Sequence, residues 1–379
     1  TFALVPIPMF LLMGELFFHT GLANRMFTSV EKLMGRVPAR LSYVTVAGGT
    51  AFATLSGSSM GSTALLGTLM VPEMTRRGYK KSMSIGPILG TGGLAMMIPP
   101  SALAVLLGTL AELDIGKLLI AGVLPGLILA AMYTVLIYVM AKRDPDAAPA
   151  YDIEFIPWAR RLKLLFRDVV PMVSVVIGVI VLIMGGVATP SEAAAFGCLG
   201  VLLLAVCYRS LTLKSTWTSM EGAARVTIMA LLIIFGSATF SQILAFSGAS
   251  SGLINWVTQF DLDPMVMLLA MFGILLILGM FMDQLSMMLL TVPIFFPLAI
   301  KFGFDPIWFG VIILLALEIS FTTPPFGLLL FVMQGVSPPG TKFSEICIAA
   351  IPFMACAMLL VALIIIFPGI ATWLPSLGN

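Results

Sequence analysis

The chain has 379 residues, 60% of them hydrophobic and 10% charged, whereas an ordinary soluble domain carries about 25% charged residues. Water therefore cannot be the solvent for most of its surface. The net charge of +2 excludes little by itself, because in a membrane protein charges inform by side and not by sum, but no basic patch suited to a nucleic acid is present.

The chain opens at Thr1 with a hydrophobic run already under way at residues 2–18, and no signal peptide is recognisable there. Uncharged stretches follow at 41–72, 82–111, 118–141, 169–191, 226–260 and 346–379. A span needs about 20 apolar residues, so the pattern predicts an all-α polytopic membrane protein. A β-barrel would instead show segments of roughly ten residues with alternating hydrophobicity, which these Gly-, Met-, Phe- and Leu-rich runs lack.

The stretch 41–72 is too long for one span and short for two, with Ser56-Gly57 at its middle. Arg40 and Arg76-Arg77 flank it, and positive charge prefers the cytoplasmic side, which predicts a re-entrant hairpin entering from the cytoplasm. Residues 264–300, centred on Asp283, form a second such stretch. Threading the spans between them places 112–117, 188–192, 248–263 and 301–305 outside, and 142–167 and 209–225 inside. Every Lys and Arg except Lys117 and Lys301 then lies in the cytoplasm, and the second hairpin opens to the opposite face.

Val71-Pro72, Pro99-Pro100 and Pro125 have counterparts in Val292-Pro293, Pro324-Pro325 and Pro352, at offsets of 221 (293 against 72), 225 (324 against 99) and 227 (352 against 125). The two halves read as inverted copies. Subtracting 221 from the helices expected near 168–188, 191–208 and 226–247 predicts two spans before residue 1 and a third near 5–26, so about 55 residues of such a repeat would precede Thr1. The charged stretch 142–167, with Asp144, Asp146, Asp152, Glu154, Arg160, Arg161 and Lys163, reads as an amphipathic arm on the cytoplasmic membrane surface.

Residues 56–63, SGSSMGST, cluster hydroxyl oxygens at the first hairpin tip, where carbonyls released from helical bonding can coordinate a hard cation such as sodium. Small residues also simply let membrane helices approach closely. Residues 90–101, GTGGLAMMIPPS, and 320–327, SFTTPPFG, are predicted to break their spans in mid-membrane. In each the prolines remove helix donors, and Gly92-Gly93 tolerates unwound backbone. Helices broken at matching positions point to a transport site, the competing reading being a plain proline kink.

Intramembrane carboxylates are functional by default. Asp283 is expected beside a sodium ion, Glu318 just before the second break is open between participation and none, and a proton relay is the competing role for either carboxylate. Glu15 and Glu192 fit interfacial or scaffold hydrogen bonding, and His19 an interface position. Cys198, Cys207, Cys347 and Cys356 lack CxxC spacing, so neither a disulfide nor a metal site is expected. No nucleophile with a base, metal cluster or phosphate cradle is visible, which argues against an enzyme.

GSSMGSTA, VPEMTRRGY, IPPS, AGVLPG, GGVATPSEAAA and TTPPFG, in this order and spacing, resemble the large membrane (M) subunit of tripartite ATP-independent periplasmic (TRAP) transporters, over essentially the whole chain. The resemblance implies an elevator-type inverted-repeat transporter with two re-entrant hairpins and two broken helices, in a bacterial inner membrane among phospholipid. Residues 42–141 and 263–379 would be the transport domain. Residues 1–41, a span and an arm, and 142–262 would be scaffold.

It further implies a small four-helix membrane subunit (Q), a periplasmic substrate-binding protein (P), two or more Na+ ions, and an organic anion such as a C4-dicarboxylate, sialic acid or a sugar acid. By motif match, sodium would fall on Ser56, Gly57, Ser58, Ser59, Gly93, Pro99, Asp283, Thr322, Thr323 and Pro324. Substrate would fall on Ser59, Thr63, Gly92, Pro100, Gln284 and Pro325. The alternatives are a stand-alone divalent-anion/sodium symporter without a binding protein, and a channel or scaffold subunit with no coupling.

Overall fold

The computed structural model describes residues 6–34, 37–149, 157–248, 252, 255–256, 259–260 and 262–377, apart from the side chains of 55–56, 233, 237, 241 and 244–245. Among the described residues there is no strand. Six helices are long and apolar enough to cross a membrane, or up to eight if each bent helix pair is one span.

The chain starts with α1 (Pro6–His19) and α2 (Leu22–Leu33), bent 64° to each other. Next come α3 (Arg40–Ser56) and α4 (Ser59–Arg76), then α5 (Lys81–Met97) bent 45° into α6 (Ala102–Leu110), and the long α7 (Ile115–Arg143). After α8 (Trp158–Leu164) a π turn at Leu165–Val169 leads directly into α9 (Val170–Met184). Helices α10 (Pro190–Cys207) and α11 (Leu213–Phe246) complete the middle. The second half contains α12 (Pro264–Gly279), α13 (Gln284–Lys301), α14 (Pro306–Phe321), α15 (Leu328–Val336), α16 (Phe343–Ile366) and α17 (Gly369–Ser376).

The halves match element by element. Helices α4 and α13 both have 18 residues and α6 and α15 both have nine. Ser58 caps α4 and Asp283 caps α13, an offset of 225 (283 against 58). Pro72 and Pro297 lie inside those helices at the same offset, and so do the two cis peptides, Pro99-Pro100 and Pro324-Pro325. The partner of Pro72 is thus Pro297, one helical turn beyond the Pro293 that the repeated Val-Pro dipeptide suggests. A slip of four residues keeps the same helix face, so dipeptide matching cannot detect it.

Helices α5 and α14 are buried on all sides, from Met83 to Met97 and from Trp308 to Phe321, as a helix apolar all round must be. Helices α3, α4, α7 and α16 pack around α5. By contrast, α7, α9, α10 and α11 turn large apolar side chains outward, among them Leu127, Val135, Val181, Leu203, Leu232 and Phe235, which suits lipid and not water.

Polar contacts sort the loops onto two ends. Lys80 pairs with Asp144 and Lys81 with Glu345, each at 2.5 Å, which sets the base of α3–α4 beside the ends of α7 and α16. At the other end, Pro6, 113–116 and 189–192 line one cavity, and the Trp308 indole donates to the Ile364 carbonyl at 3.0 Å. The base of α12–α13 lies there, because α14 at Gly310 packs on Leu113 and Leu118. The two helix pairs therefore have their bases at opposite ends.

The expected surface arm is only partly recovered. Residues 158–167 continue into α9 in place of forming a separate segment, while Asp152 and Glu154 fall outside the described residues. Arg25 of α2 pairs with buried Asp168 at 2.6 Å, and Ser29 donates to the same carboxylate at 3.0 Å, fastening α2 to that helix.

Candidate functional site

The first tip is a two-residue reversal. Gly57 has φ +58°, a left-handed conformation that glycine adopts without penalty and that commonly ends a helix. A β-carbon there would lie 3.4 Å from the Pro100 carbonyl oxygen, so the tip sits directly on the first break. Ser58 then caps α4 by accepting from the Gly61 amide at 3.1 Å. The side chain of Ser56 is outside the described residues.

The second tip is capped by Asp283, whose Oδ2 accepts from the amides of Leu285 and Ser286 at 3.0 and 3.2 Å and whose Oδ1 takes the Ser286 hydroxyl at 2.5 Å. Its charge is thus served by three donors inside its own tip. Beside it, Phe281 meets Phe326 of the second break with ring centroids 5.5 Å apart, and the Gln284 amide contacts Met96 Sδ at 3.5 Å, just before the first break. Each tip therefore rests on the break of its own half, and the second tip also reaches α5.

Helix α5 runs unbroken through Gly92 and Gly93 to Met97, and the break is confined to 98–101. The two glycines serve close approach, not unwinding. A β-carbon on Gly92 would come 2.4 Å from Thr63 Oγ1 and 3.4 Å from the Ser59 carbonyl oxygen, and one on Gly93 would collide with the Glu318 carboxylate. Ser59 and Thr63 are 4% and 0% exposed, and neither hydroxyl has a hydrogen-bond partner among the described residues. Buried hydroxyls are normally satisfied, so these two at the start of α4, with Thr63 Oγ1 facing the α5 backbone at Gly92, are where the site is incomplete.

In the second break the Thr322 and Thr323 hydroxyls bond back to the Ile319 carbonyl at 3.0 and 2.7 Å, and the Gly327 amide bonds to the Thr323 carbonyl at 3.0 Å. These hydroxyl protons are engaged, which leaves the oxygen lone pairs free to act as acceptors. Pro99 and Pro100 are buried in the first break, while Pro324 is half-buried and Pro325 exposed in the second. The structure thus joins Gly57 with Pro100, joins Ser59, Thr63 and Gly92, and brings Gln284 near Met96. Asp283, Thr322 and Thr323 are held by their own segments.

Two features escape sequence reading. His19 is within 3.1 Å of Glu15, and both line a cavity of about 370 Å³ with Phe52, Ser58, Gly61 and Thr68, so the histidine faces the α3–α4 pair from the end of α1. Its spacing of four from Glu15 on one helix was the available signal. Glu318 abuts Gly93, and nothing in its local motif names that partner.

Residues 1–370 match the family model described as the DctM component of tripartite ATP-independent periplasmic transporters. The chain belongs to this family. Among relatives, the C4-dicarboxylate TRAP transporter large permease protein DctM of Pseudomonas aeruginosa is 32% identical, covering 99% of this chain and 86% of that protein. The sialic acid TRAP transporter large permease protein SiaM of Vibrio cholerae is 29% identical, with coverages of 99% and 87%. The isethionate TRAP transporter permease protein DctMQ of Oleidesulfovibrio alaskensis is 30% identical over 96% of this chain but 56% of its own length.

Among solved structures, the Alcanivorax borkumensis YdaH transporter superposes with a TM-score of 0.69 at 13% identity, covering 99% of this chain and 86% of that one. That likeness concerns the fold alone. Family membership makes the chain a multi-pass transporter permease and not an enzyme. The family works with a small permease and a periplasmic binding protein.

Proposed function

We propose that this TRAP large permease carries out sodium-coupled uptake of a small organic anion across the bacterial inner membrane, delivered by a periplasmic substrate-binding protein. The observation that carries the reading is the pair of unpartnered buried hydroxyls, Ser59 and Thr63, at the start of α4 just past the first tip, with Thr63 Oγ1 set against Gly92 of α5. Oxygens held without donors just past the non-helical Gly57–Ser58 tip suit a cation and the anion that travels with it.

In this reading α3–α4 and α12–α13 are re-entrant hairpins. At 1.5 Å per residue each arm is about 25 Å long, more than half of a hydrocarbon core of about 30 Å, so the arms lie tilted for the tips to meet near the midplane. Two or more sodium ions would be held by Gly57, Ser58, Ser59, Gly93 and Pro99 on one side, and by Asp283, Thr322, Thr323 and Pro324 on the other. The substrate would contact Thr63, Gly92, Pro100, Gln284 and Pro325 between them. Residues 42–141 and 263–379 would move together as an elevator against the remaining scaffold. The names of the relatives suggest a C4-dicarboxylate or sialic acid as the first anions to test.

The test is uptake into proteoliposomes that hold the large and small subunits, with binding protein added outside and a sodium gradient imposed. Uptake that requires both sodium and the binding protein is expected, and replacing Ser58 and Ser59 by Ala should raise the sodium concentration at half-maximal rate. Transport without a binding protein would favour a stand-alone symporter, and flux indifferent to sodium would overturn the coupled reading.

A further inference from the structure

Positions 93 and 318 are equivalents in the two halves at the 225 register set by the tip caps and the breaks. They also touch. A β-carbon on Gly93 would lie 1.8 Å from Glu318 Oε1, so the carboxylate of one half occupies the space where the other half has no side chain. Two carboxylates could not share that crossing, which makes it the point where the repeat is necessarily asymmetric.

Glu318 is 4% exposed, and its Oε2 has no hydrogen-bond partner among the described residues. Nor does any described lysine, arginine or histidine pair with it. The titratable groups around it are Tyr133 of α7 and, beyond it, Cys356 of α16, and neither supplies positive charge. Lys81, the cation of α5, is engaged with Glu345 at the helix start, 12 residues from Gly93. An ionised carboxylate isolated in such surroundings would cost several kcal/mol, so a cation must accompany it. A narrow cavity gives the space, lined by Glu318, Tyr133, Gly90, Phe353 and Thr322. Thr322 follows Glu318 by one helical turn on the same face and belongs to the second break.

We propose that Glu318 is a further cation-accepting group of the second half, taking a sodium ion or a proton in the cavity it shares with Thr322. This rests on the reading of the chain as a cation-coupled transporter. The asymmetry of the crossing gives one such group per chain.

The experiment combines a variant with a probe of the native protein. In proteoliposomes with small subunit and binding protein, Glu318→Gln keeps the shape and removes the charge. It is expected to raise the cation concentration needed for half-maximal uptake by roughly 5- to 150-fold, the range of an ordinary coupling between two binding sites. Because the variant could fail to fold, the purified wild-type protein is also treated with dicyclohexylcarbodiimide, which attacks protonated carboxyls in apolar surroundings, and the labelled residue is found by mass spectrometry. Labelling of Glu318 that sodium suppresses supports the sodium arm. Labelling indifferent to sodium but lost as pH rises supports the proton arm. No labelling at Glu318 under any of these conditions, or a Glu318→Gln protein that transports like wild type under both gradients, overturns the proposal. Wild-type uptake indifferent to both gradients would instead sink the coupled reading, while the labelling result still decides on Glu318.

Discussion

Asp283 is where sequence and structure pull against each other most usefully. Read as an intramembrane carboxylate it asks for an ion, yet the structure gives it three donors within its own tip. Capping and cation binding predict different things. Loss of a cap costs about 0.5–2 kcal/mol when the residue becomes Ala, and much less when Asn preserves the acceptor. Asp283→Ala should therefore lower the thermal unfolding midpoint in detergent, and Asp283→Asn should leave it close to wild type. If Asp283 also holds sodium, Asn should raise the sodium concentration at half-maximal uptake despite its normal stability. An Asn variant with wild-type sodium dependence would leave the residue a cap alone. The hydroxyl-rich first tip was legible because SGSSMGST is compositionally extreme, whereas the role of Asp283 as a cap depended on tip geometry that its neighbours in sequence do not specify.

At the scale of elements, the two helix pairs joined by short tips and the two breaks were legible because prolines and charged flanks mark helix limits by simple sterics and solvation. The glycines of α5 were misread, since glycine signals both unwinding and close packing and only the neighbour decides. Helix α5 and α16 cross at Gly86 and Gly90 over Phe353. The nearest atoms to a β-carbon on Gly90 would be those of the Phe353 side chain, from 2.8 Å, while one on Gly86 would also meet the Ala349 carbonyl oxygen at 2.7 Å. Intrinsic helix propensity favours Ala over Gly by about 1 kcal/mol, so packing must reverse the sign for either change to destabilise. Gly90→Ala should lower the unfolding midpoint, and should be relieved in a Phe353→Ala background, where the Cγ and Cδ1 atoms that it meets are gone. Gly86→Ala should not be rescued by the same change, because a backbone carbonyl cannot be trimmed. Equal rescue at both positions would mean that the crossing is looser than the structure has it.

For the whole molecule, the strongest sequence signal was the side on which positive charge falls, and it predicts an orientation that the fold alone lacks. The contacts gather Lys80, Lys81 and Asp144 at one end and Asp114 and Glu192 at the other, in the same two groups that the charge threading assigns to the inside and the outside. What the charges could not supply was the identity of the contacts between halves, such as Gly93 with Glu318, because those depend on how two distant segments cross. The orientation can be tested at the bases of the two helix pairs, Arg76 for the first and Lys301 for the second, both exposed. The four cysteines are free, so they are first replaced by Ser or Ala, and Arg76→Cys or Lys301→Cys is then introduced singly. A membrane-impermeant maleimide added to cells with a permeabilised outer membrane should label Lys301→Cys, and should label Arg76→Cys only after the inner membrane is also opened. The inverse pattern would reverse the orientation while keeping the fold. Labelling of both from one side would place the two bases on the same face, contrary to the inverted relation between the halves, and with it the common register of 225 would lose its meaning as a repeat across the membrane.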